Sequence, residues 1–328
     1  MSTVDALAAV AATTASFAQV TLYGRVDVGM NNQKTTVGNT WTKANNLVNE
    51  DGLSTGLIGI KGSEDLGGGM SASFVQEWDL DLDTGRMNFD VGRNSTLGLA
   101  GGFGAVRLGR SYTPLFSTIG ASDVFGTTGA TTVNAYPDGV RASNALFYTS
   151  PNFGGVTVDF MATNNNISKN AAVDKNNSIG LSATYAAGPL MARLGYGKMS
   201  TTTGAVKGET KGTAIAATYD LGSAKVYFGY TTGTKEADVS VNTKTTTKET
   251  NLGVAVPMGA ITLKAGYGKN KVEDTVLGAV TKTDGNDFVV GADYALSKRT
   301  TAYFKTGTYN KVDTTKTTRT SIGLRHTF

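Results

Sequence analysis

Apolar and polar residues take turns along most of this chain. Val20, Leu22, Val26 and Val28 alternate with Thr21, Tyr23, Arg25 and Asp27, and Val156, Val158 and Phe160 alternate with Thr157 and Asp159. The pattern returns at Leu190, Leu194 and Tyr196, at Val226, Phe228 and Tyr230, at Ile261, Leu263 and Tyr267, and at Phe288, Val290 and Tyr294. A period of two belongs to a strand with one apolar and one polar face. Runs of about ten residues are what a tilted strand needs to cross a bilayer.

Turn signals punctuate these runs at Glu64–Gly69, Gly101–Gly104, Ser150–Gly155, Ala186–Pro189, Asp220–Ser223, Pro257–Ala260 and Leu296–Arg299. Seven tight turns predict seven hairpins, and the first and last segments bring the count to sixteen strands. Successive turns lie 34 to 38 residues apart, except for one interval of 51 between Gly102 and Phe153. An even strand number puts both chain ends on one side. The connections on the other side read as long polar loops: 31–51, 83–92, 113–140, 164–176, 201–208, 235–246, 271–284 and 312–318. Short turns on one side and long loops on the other are the asymmetry of transmembrane barrels. Phe103, Phe153, Tyr185, Tyr219 and Tyr294 beside the short turns would form an interfacial aromatic girdle.

Composition agrees with this class. The chain has 328 residues with 42 Gly, 5 Pro, no Cys and one His, and no apolar run is long enough for a spanning helix. A barrel needs only every second residue apolar, so its mean hydropathy stays near that of a soluble protein. The last strand ends on an aromatic, with Ile322, Leu324, His326 and Phe328 on one side. As an open edge it would invite aggregation, whereas in a closed cylinder it pairs with the first strand. Residues 1–18 read as the remnant of an export leader, with an apolar stretch at Leu7–Ala12 and Ser16-Phe17-Ala18 as the cleavage signal; the lack of any Lys or Arg in it points to a trimmed leader or a mis-called start. Residues 19–328 then form a single barrel domain. Loss of Asp5 with the leader leaves 30 basic against 25 acidic residues.

A lipid-facing charge at mid-depth costs roughly 2 to 4 kcal/mol. Strand parity therefore assigns Arg25, Lys61, Arg107, Arg193, Lys225, Lys264, Lys305 and Arg325 to the lumen, with Asp27, Glu77, Asp79, Asp159, Asp287 and Asp293 supplying the opposite sign.

Several motifs carry a family likeness. Val20-Thr-Leu-Tyr-Gly24, Lys61-Gly-Ser-Glu-Asp-Leu-Gly-Gly-Gly69, Gly102-Phe-Gly-Ala-Val-Arg-Leu-Gly-Arg110, Arg141-Ala-Ser-Asn144, Tyr148-Thr-Ser-Pro-Asn-Phe-Gly-Gly155, Leu296-Ser-Lys-Arg-Thr300 and Gly323-Leu-Arg-His-Thr-Phe328 occur in order. From Val20 to Phe328 the chain closely resembles the general porins of beta-proteobacterial outer membranes. The resemblance implies an all-β, transmembrane antiparallel barrel of sixteen strands, a homotrimer, and a water-filled channel for small hydrophilic solutes. It also implies contact with outer-membrane lipid and lipopolysaccharide, and recognition of Phe328 by the barrel assembly machinery. In several relatives the pore prefers anions.

By the same resemblance Thr113–Gly126, continuing to Gly139, corresponds to a third loop that folds inward and narrows the channel. Leu115, Phe116, Ile119, Val124 and Phe125 suit it to pack on the wall; the alternative is an outer loop with its own apolar cluster. Arg93 and Arg141 match two positions of the family's arginine cluster, while the third matches the uncharged Leu57. Arg93 shares parity with Leu97 and Leu99, so it reaches the lumen only through a bulge. Asp123 is expected to face the basic wall, so that a transverse field raises local anion concentration. The expected constriction is thus Arg93, Arg141 and Asp123, within a wall carrying Arg25, Asp27, Lys61, Arg107, Arg193 and Lys264.

Other activities find little in the sequence. A single His, no Cys and no metal-ligand spacing leave catalysis without a constellation, and no cofactor is expected; acidic loop pairs such as Glu50 with Asp51 leave a metal ion open, and none is assigned. Positive charge is spread rather than clustered, which argues against nucleic acid. A channel specific for one small anionic metabolite, or a secreted β-rich adhesin, remain as alternatives.

Overall fold

Strands make up nearly all of the computed structural model, which describes residues 19–48, 52–127, 138–164, 175–203, 206–238, 243–311 and 315–328. The expected leader, residues 1–18, and the Glu50–Asp51 pair lie outside the described residues. The chain runs β1 (Gln19–Val37), β2 (Thr40–Val48), β3 (Leu57–Gly67), β4 (Met70–Asp81), β5 (Arg86–Gly101) and β6 (Gly104–Tyr112), then α1 (Pro114–Ala121). It continues with β7 (Arg141–Thr149), β8 (Val156–Thr163), β9 (Lys175–Ala187), β10 (Leu190–Thr203), β11 (Val206–Asp220) and β12 (Lys225–Asp238). The last five strands are β13 (Thr243–Met258), β14 (Ile261–Val276), β15 (Ala279–Ala295), β16 (Thr300–Lys311) and β17 (Thr315–Thr327).

All ladders are antiparallel, and β17 closes the cylinder on β1 from Arg25↔Thr327 to Val37↔Thr315. On its other edge β1 pairs with β3 through Gln19–Arg25 and with β2 through Gly29–Val37. The ring is therefore sixteen strands, β1 and β3 to β17, with β2 as an additional strand beside the outer half of β1. Closure leaves few unpaired backbone groups at membrane depth, which is what makes such a wall tolerable in lipid. Phe328 completes it: its N–H donates to Gly24 O at 3.0 Å and its carbonyl accepts from Gly24 N at 3.1 Å. The ring of Phe328 lies on Gly24, where a Cβ would come within 2.5 Å of it.

The dyad pattern sorts as expected. Leu22, Phe160 and Phe228 are 60%, 39% and 41% exposed, on the outer face with Leu97, Leu194, Ile215, Leu252, Leu263, Phe288 and Leu324. In water such a continuous apolar surface would be untenable, and in a bilayer it is the solvated face. All seven tight turns fall where the punctuation placed them, and Phe103, Phe153, Tyr185, Tyr219 and Tyr294 beside them are exposed.

The other rim departs from expectation. Much of what reads as long loop is hairpin: β1 and β2 meet at Gly38 (φ +56°), and β14 and β15 meet at Leu277 (φ +51°) and Gly278 (φ +83°). Segments 31–51, 235–246 and 271–284 are mostly strand because Thr, Val and Lys pair across the ladder without an apolar face. Thr35 and Thr317, for example, join through their hydroxyls at 3.3 Å. With water on both sides, hydrophobic alternation has nothing to report.

Candidate functional site: a narrowed pore

The stretched interval between β6 and β7 carries α1. Thr113 caps the helix by accepting Phe116 N–H at 3.0 Å, and Pro114 opens the first turn, where its missing N–H costs nothing. Leu115 and Ile119 are buried against Ala214 of β11. Ala214 has the parity opposite to lipid-facing Ile215, so the helix lies inside the barrel. The wall is cut to receive it. A Cβ on Gly180 would meet Pro114 at 2.8 Å, one on Gly195 would meet Thr118 at 2.3 Å, and one on Gly229 would meet Ser122 at 2.3 Å. Further round, a Cβ on Gly253 would meet Val124 at 2.9 Å, and Phe125 packs with Val289, an inward apolar residue that breaks the dyad rule because it is covered by the loop. Asn251 fixes the loop by donating from Nδ2 to Ser122 O at 2.7 Å.

Two carboxylates of this loop are structural. Asp123 accepts Phe125 N–H at 2.9 Å and Thr127 N–H at 2.6 Å, and it is buried. It therefore caps the turn after α1 rather than facing the basic wall, which corrects the expected role: a short acidic side chain finds backbone donors two and four residues on. Asp138, at the loop's return, accepts from Thr113 Oγ1 at 3.3 Å, and its Oδ2 lies against Gly197 of β10 without a hydrogen-bond partner. Burial pushes its carboxyl up to about 7.

Opposite this sector, arginines gather. The register of β4 against β5 shifts between Gln76 and Asp79, the bulge that Arg93 requires. Arg93 turns inward, pairs with Asp79, and donates from Nη2 to Tyr112 Oη at 3.3 Å. Arg141 donates to the same Tyr112 oxygen at 2.8 Å, with its guanidinium 4.4 Å from the ring centroid. Phe116 of α1 stacks on Tyr112, centroids 5.0 Å apart at 20°. Loop helix and arginine wall therefore meet at one aromatic. Arg110 stays outside the group: it shares the outward parity of Leu108 and is held by Gly92 O at 2.7 Å and Ser143 Oγ at 2.6 Å. Leu57 leaves its position uncharged, yet Arg25 stands directly across the ladder from it. Sequence parity gives Arg25 as a wall charge only, and no pattern in the sequence marks Tyr112. The ladder Arg25↔Leu57↔Asp79 becomes visible only with the strand register.

The remaining wall charges divide into two kinds. Arg193 pairs with Asp159 at 2.9 Å and Lys264 with Asp293 at 2.7 Å, while Lys61 lies 4.9 Å from the Tyr23 ring and Arg107 5.5 Å from the Phe147 ring. Asp27 belongs to a different structure. It is fully buried, accepting Ser54 N–H at 2.8 Å and Tyr303 Oη–H at 2.8 Å. Arg25 Nε donates to Thr55 O at 2.8 Å and Lys305 Nζ to Gly52 O at 2.6 Å. Residues 52–56 thus form a second inward segment, placed before β3 and tied to the lumen face of β1 and β16. Asp27 and Lys305 anchor chain rather than face the open channel.

Comparison with known proteins follows the same lines. A family model described as Gram-negative porin matches residues 6–314. This chain belongs to the Gram-negative porin family. The porin is 32% identical over 315 residues to outer membrane porin protein 32 of Delftia acidovorans, covering 91% of this chain and 86% of that protein. It is 28% identical to the major outer membrane protein P.IB of Neisseria lactamica, covering 98% of both. Among solved structures it is similar to an anion-selective porin from Comamonas acidovorans, with a TM-score of 0.82, 26% identity, and coverage of 95% of this chain and 100% of that one. The fold is shared with a trimer form of OmpT, an outer-membrane protein of Vibrio cholerae, at a TM-score of 0.71 and 16% identity, covering 95% of this chain and 99% of that one. The porin is an outer-membrane channel protein, of a family of pores rather than enzymes.

Proposed function

We propose that this porin passes small hydrophilic solutes with a mild preference for anions, and that Arg93, Arg141 and Arg25 form its selective zone. One observation carries the reading: Arg93 and Arg141 meet on Tyr112 where α1 reaches the wall, with Arg25 on the same face and Asp79 and Glu77 as the nearby carboxylates. In a narrow, partly desolvated passage an unbalanced positive field lowers the barrier for carboxylates and phosphates. The anion-selective relative from Comamonas acidovorans supports the same sign. The reversal potential of refolded protein in a planar bilayer under a salt gradient tests it, with a value on the anion side expected and one on the cation side overturning it.

Assembly follows the family. A homotrimer is supported by the trimeric neighbour and by the apolar face around β1, β5 and β17, where Leu22, Met30, Leu97 and Ile322 are all more than half exposed. Cross-linking in native membranes tests it. The terminal Phe328 serves the assembly machinery before it closes on Gly24, so its deletion lowers membrane insertion in cells. Residues 1–18 are read as the remnant of an export leader, which N-terminal sequencing of the mature protein checks. A channel specific for one small anion would show saturable conductance block by that solute.

A further inference from the structure

We propose that residues 52–56 are a keeper for the third loop: they pin its far end and so set the pore's width on that side, with Asp27 as the positioning residue that seats them. The inference concerns width, and it stands whichever sign the ion preference takes.

The seat is cut by glycine. A Cβ on Gly52 would meet Asp27 Oδ1 at 2.0 Å and Tyr303 Oη at 2.6 Å, and one on Gly29 or Gly323 would reach the same phenol oxygen at 2.6 Å or 2.2 Å. Three backbones thus close around one buried phenol, which donates to Asp27 Oδ1 at 2.8 Å. The other carboxylate oxygen takes Ser54 N–H at 2.8 Å and Ser54 Oγ–H at 3.4 Å. A fully buried carboxylate is tolerated because donors on both oxygens satisfy it, and two of those donors belong to the inward segment. Lys305 Nζ donates to Gly52 O at 2.6 Å, Arg25 Nε to Thr55 O at 2.8 Å and Leu80 N–H to Gly56 O at 3.3 Å. The segment is therefore tied along its length to β1, β4 and β16. Surface loops are not fastened in this way; this one is held to a fixed position inside the lumen.

That position abuts the third loop. The furrow of β9 to β12 receives α1 and Ser122, while the chain beyond them, Val124 and Phe125, sits on Ala255 and Val289. Directly after these two residues, a Cβ on Gly126 would stand 3.9 Å from Leu53 O. A Cβ on Gly291 would meet both the Phe125 ring and the stem of Lys305 at 3.3 Å, so the lysine that ties down Gly52 also borders the loop. Leu53 is buried in the same region. The two inward segments thus support each other, and the far end of the loop is released when residues 52–56 lose their seat.

Because the chain has no Cys, single cysteines report on the loop without background. Val124→Cys lies at the far end and Thr118→Cys on α1; both positions are buried, so both thiols should react slowly with a charged methanethiosulfonate in the refolded porin. Ser54→Pro removes the N–H that Asp27 takes, and Gly52→Val fills the seat; both lie outside the strands, so the ladder should close as in the parent, which heat-modifiable migration checks. In either background, and with Asp27→Ala, Val124→Cys should label about tenfold faster or more through local opening, while Thr118→Cys stays slow. Single-channel conductance should rise with it. Slow labelling of Val124→Cys in folded Ser54→Pro and Gly52→Val porins would overturn the proposal. So would equal acceleration at Thr118→Cys, which would mean that the loop is released as a whole and not from its far end.

Discussion

Two sectors of the same wall face each other across the lumen and are built by opposite rules. From β9 to β13 the inward positions are stripped of side chains: Gly180, Gly195, Ala214, Ala216, Gly229 and Gly253 leave a furrow filled by the third loop. From β1 to β7 the inward positions carry long cationic side chains, Arg25, Arg93 and Arg141, the last two meeting the loop through Tyr112. The first sector holds the obstruction by shape and the second gives it electrical sign. Tyr112 and Phe116 are where the two meet. Pore size and selectivity are therefore separable, and each can be altered from its own side.

The largest effect should come from filling the furrow. Gly195→Val and Gly229→Val put branched side chains into space occupied by Thr118 and Ser122, and overpacking of this kind costs about 1–3 kcal/mol each. The barrel ladder does not depend on the loop, so folding should survive while α1 leaves the wall. We expect single-channel conductance to rise by ~2-fold or more with loss of ion preference, since the constriction sets both. Unchanged conductance in a variant with normal heat-modifiable migration would mean that α1 does not limit the pore.

From the other sector, Arg93→Ala with Arg141→Ala should leave pore size nearly constant and move the reversal potential to zero or past it. Asp79 loses its partner in this variant and then favours cations. An anion preference that persisted would shift the selective role elsewhere on the wall. A finer comparison concerns Leu57, the uncharged position of the cluster. Because Arg25 faces it across the ladder, Leu57→Arg sets two guanidiniums against each other at a cost of roughly 0.2–1 kcal/mol. It should add little anion preference, whereas Arg25→Ser should reduce it measurably. Were Leu57→Arg to raise the preference strongly, Arg25 would not be covering for the missing charge.

These sectors differ also in how far the residue pattern reveals them. The wall is legible because lipid outside and water inside sort alternate residues, and Leu22, Phe160 and Phe228 could face only one way. Arg93 could be placed inward only on condition of a bulge, and the shift opposite Gln76 and Asp79 meets that condition. The furrow was hidden, because a glycine removed for a close approach reads the same as one in a turn, and its partner lies some hundred positions away. Asp123 misled for a related reason. Its charge suggested a counter-wall, while the neighbouring amides that claim it are a matter of local conformation. The inward turn of residues 52–56 had no signal, since Asp27 and Lys305 look like any lumen charges until their partners are known.

The smallest expected effect lies at the loop's return, where Asp138 is pressed against Gly197. Its carboxyl, raised from 3.8 to about 7 by burial, binds a proton more firmly with the loop seated than released. The sign follows directly. Between those values the seated loop holds more protons, so its stability is complete at acidic pH and falls as pH rises through 7, at about 1.4 kcal/mol per unit of difference. Thr113, donating at 3.3 Å, offsets part of the burial, and no cation pairs with Asp138 among the described residues. Raising the pH from 6 to 8 should therefore increase loop-dependent current fluctuations in single channels. Asp138→Asn keeps the shape and removes the titration, so its trace should be quiet and flat across the same range. If parent and variant instead show the same pH dependence, the proton is taken up elsewhere, and the furrow alone, without this carboxyl, decides how firmly the loop is held.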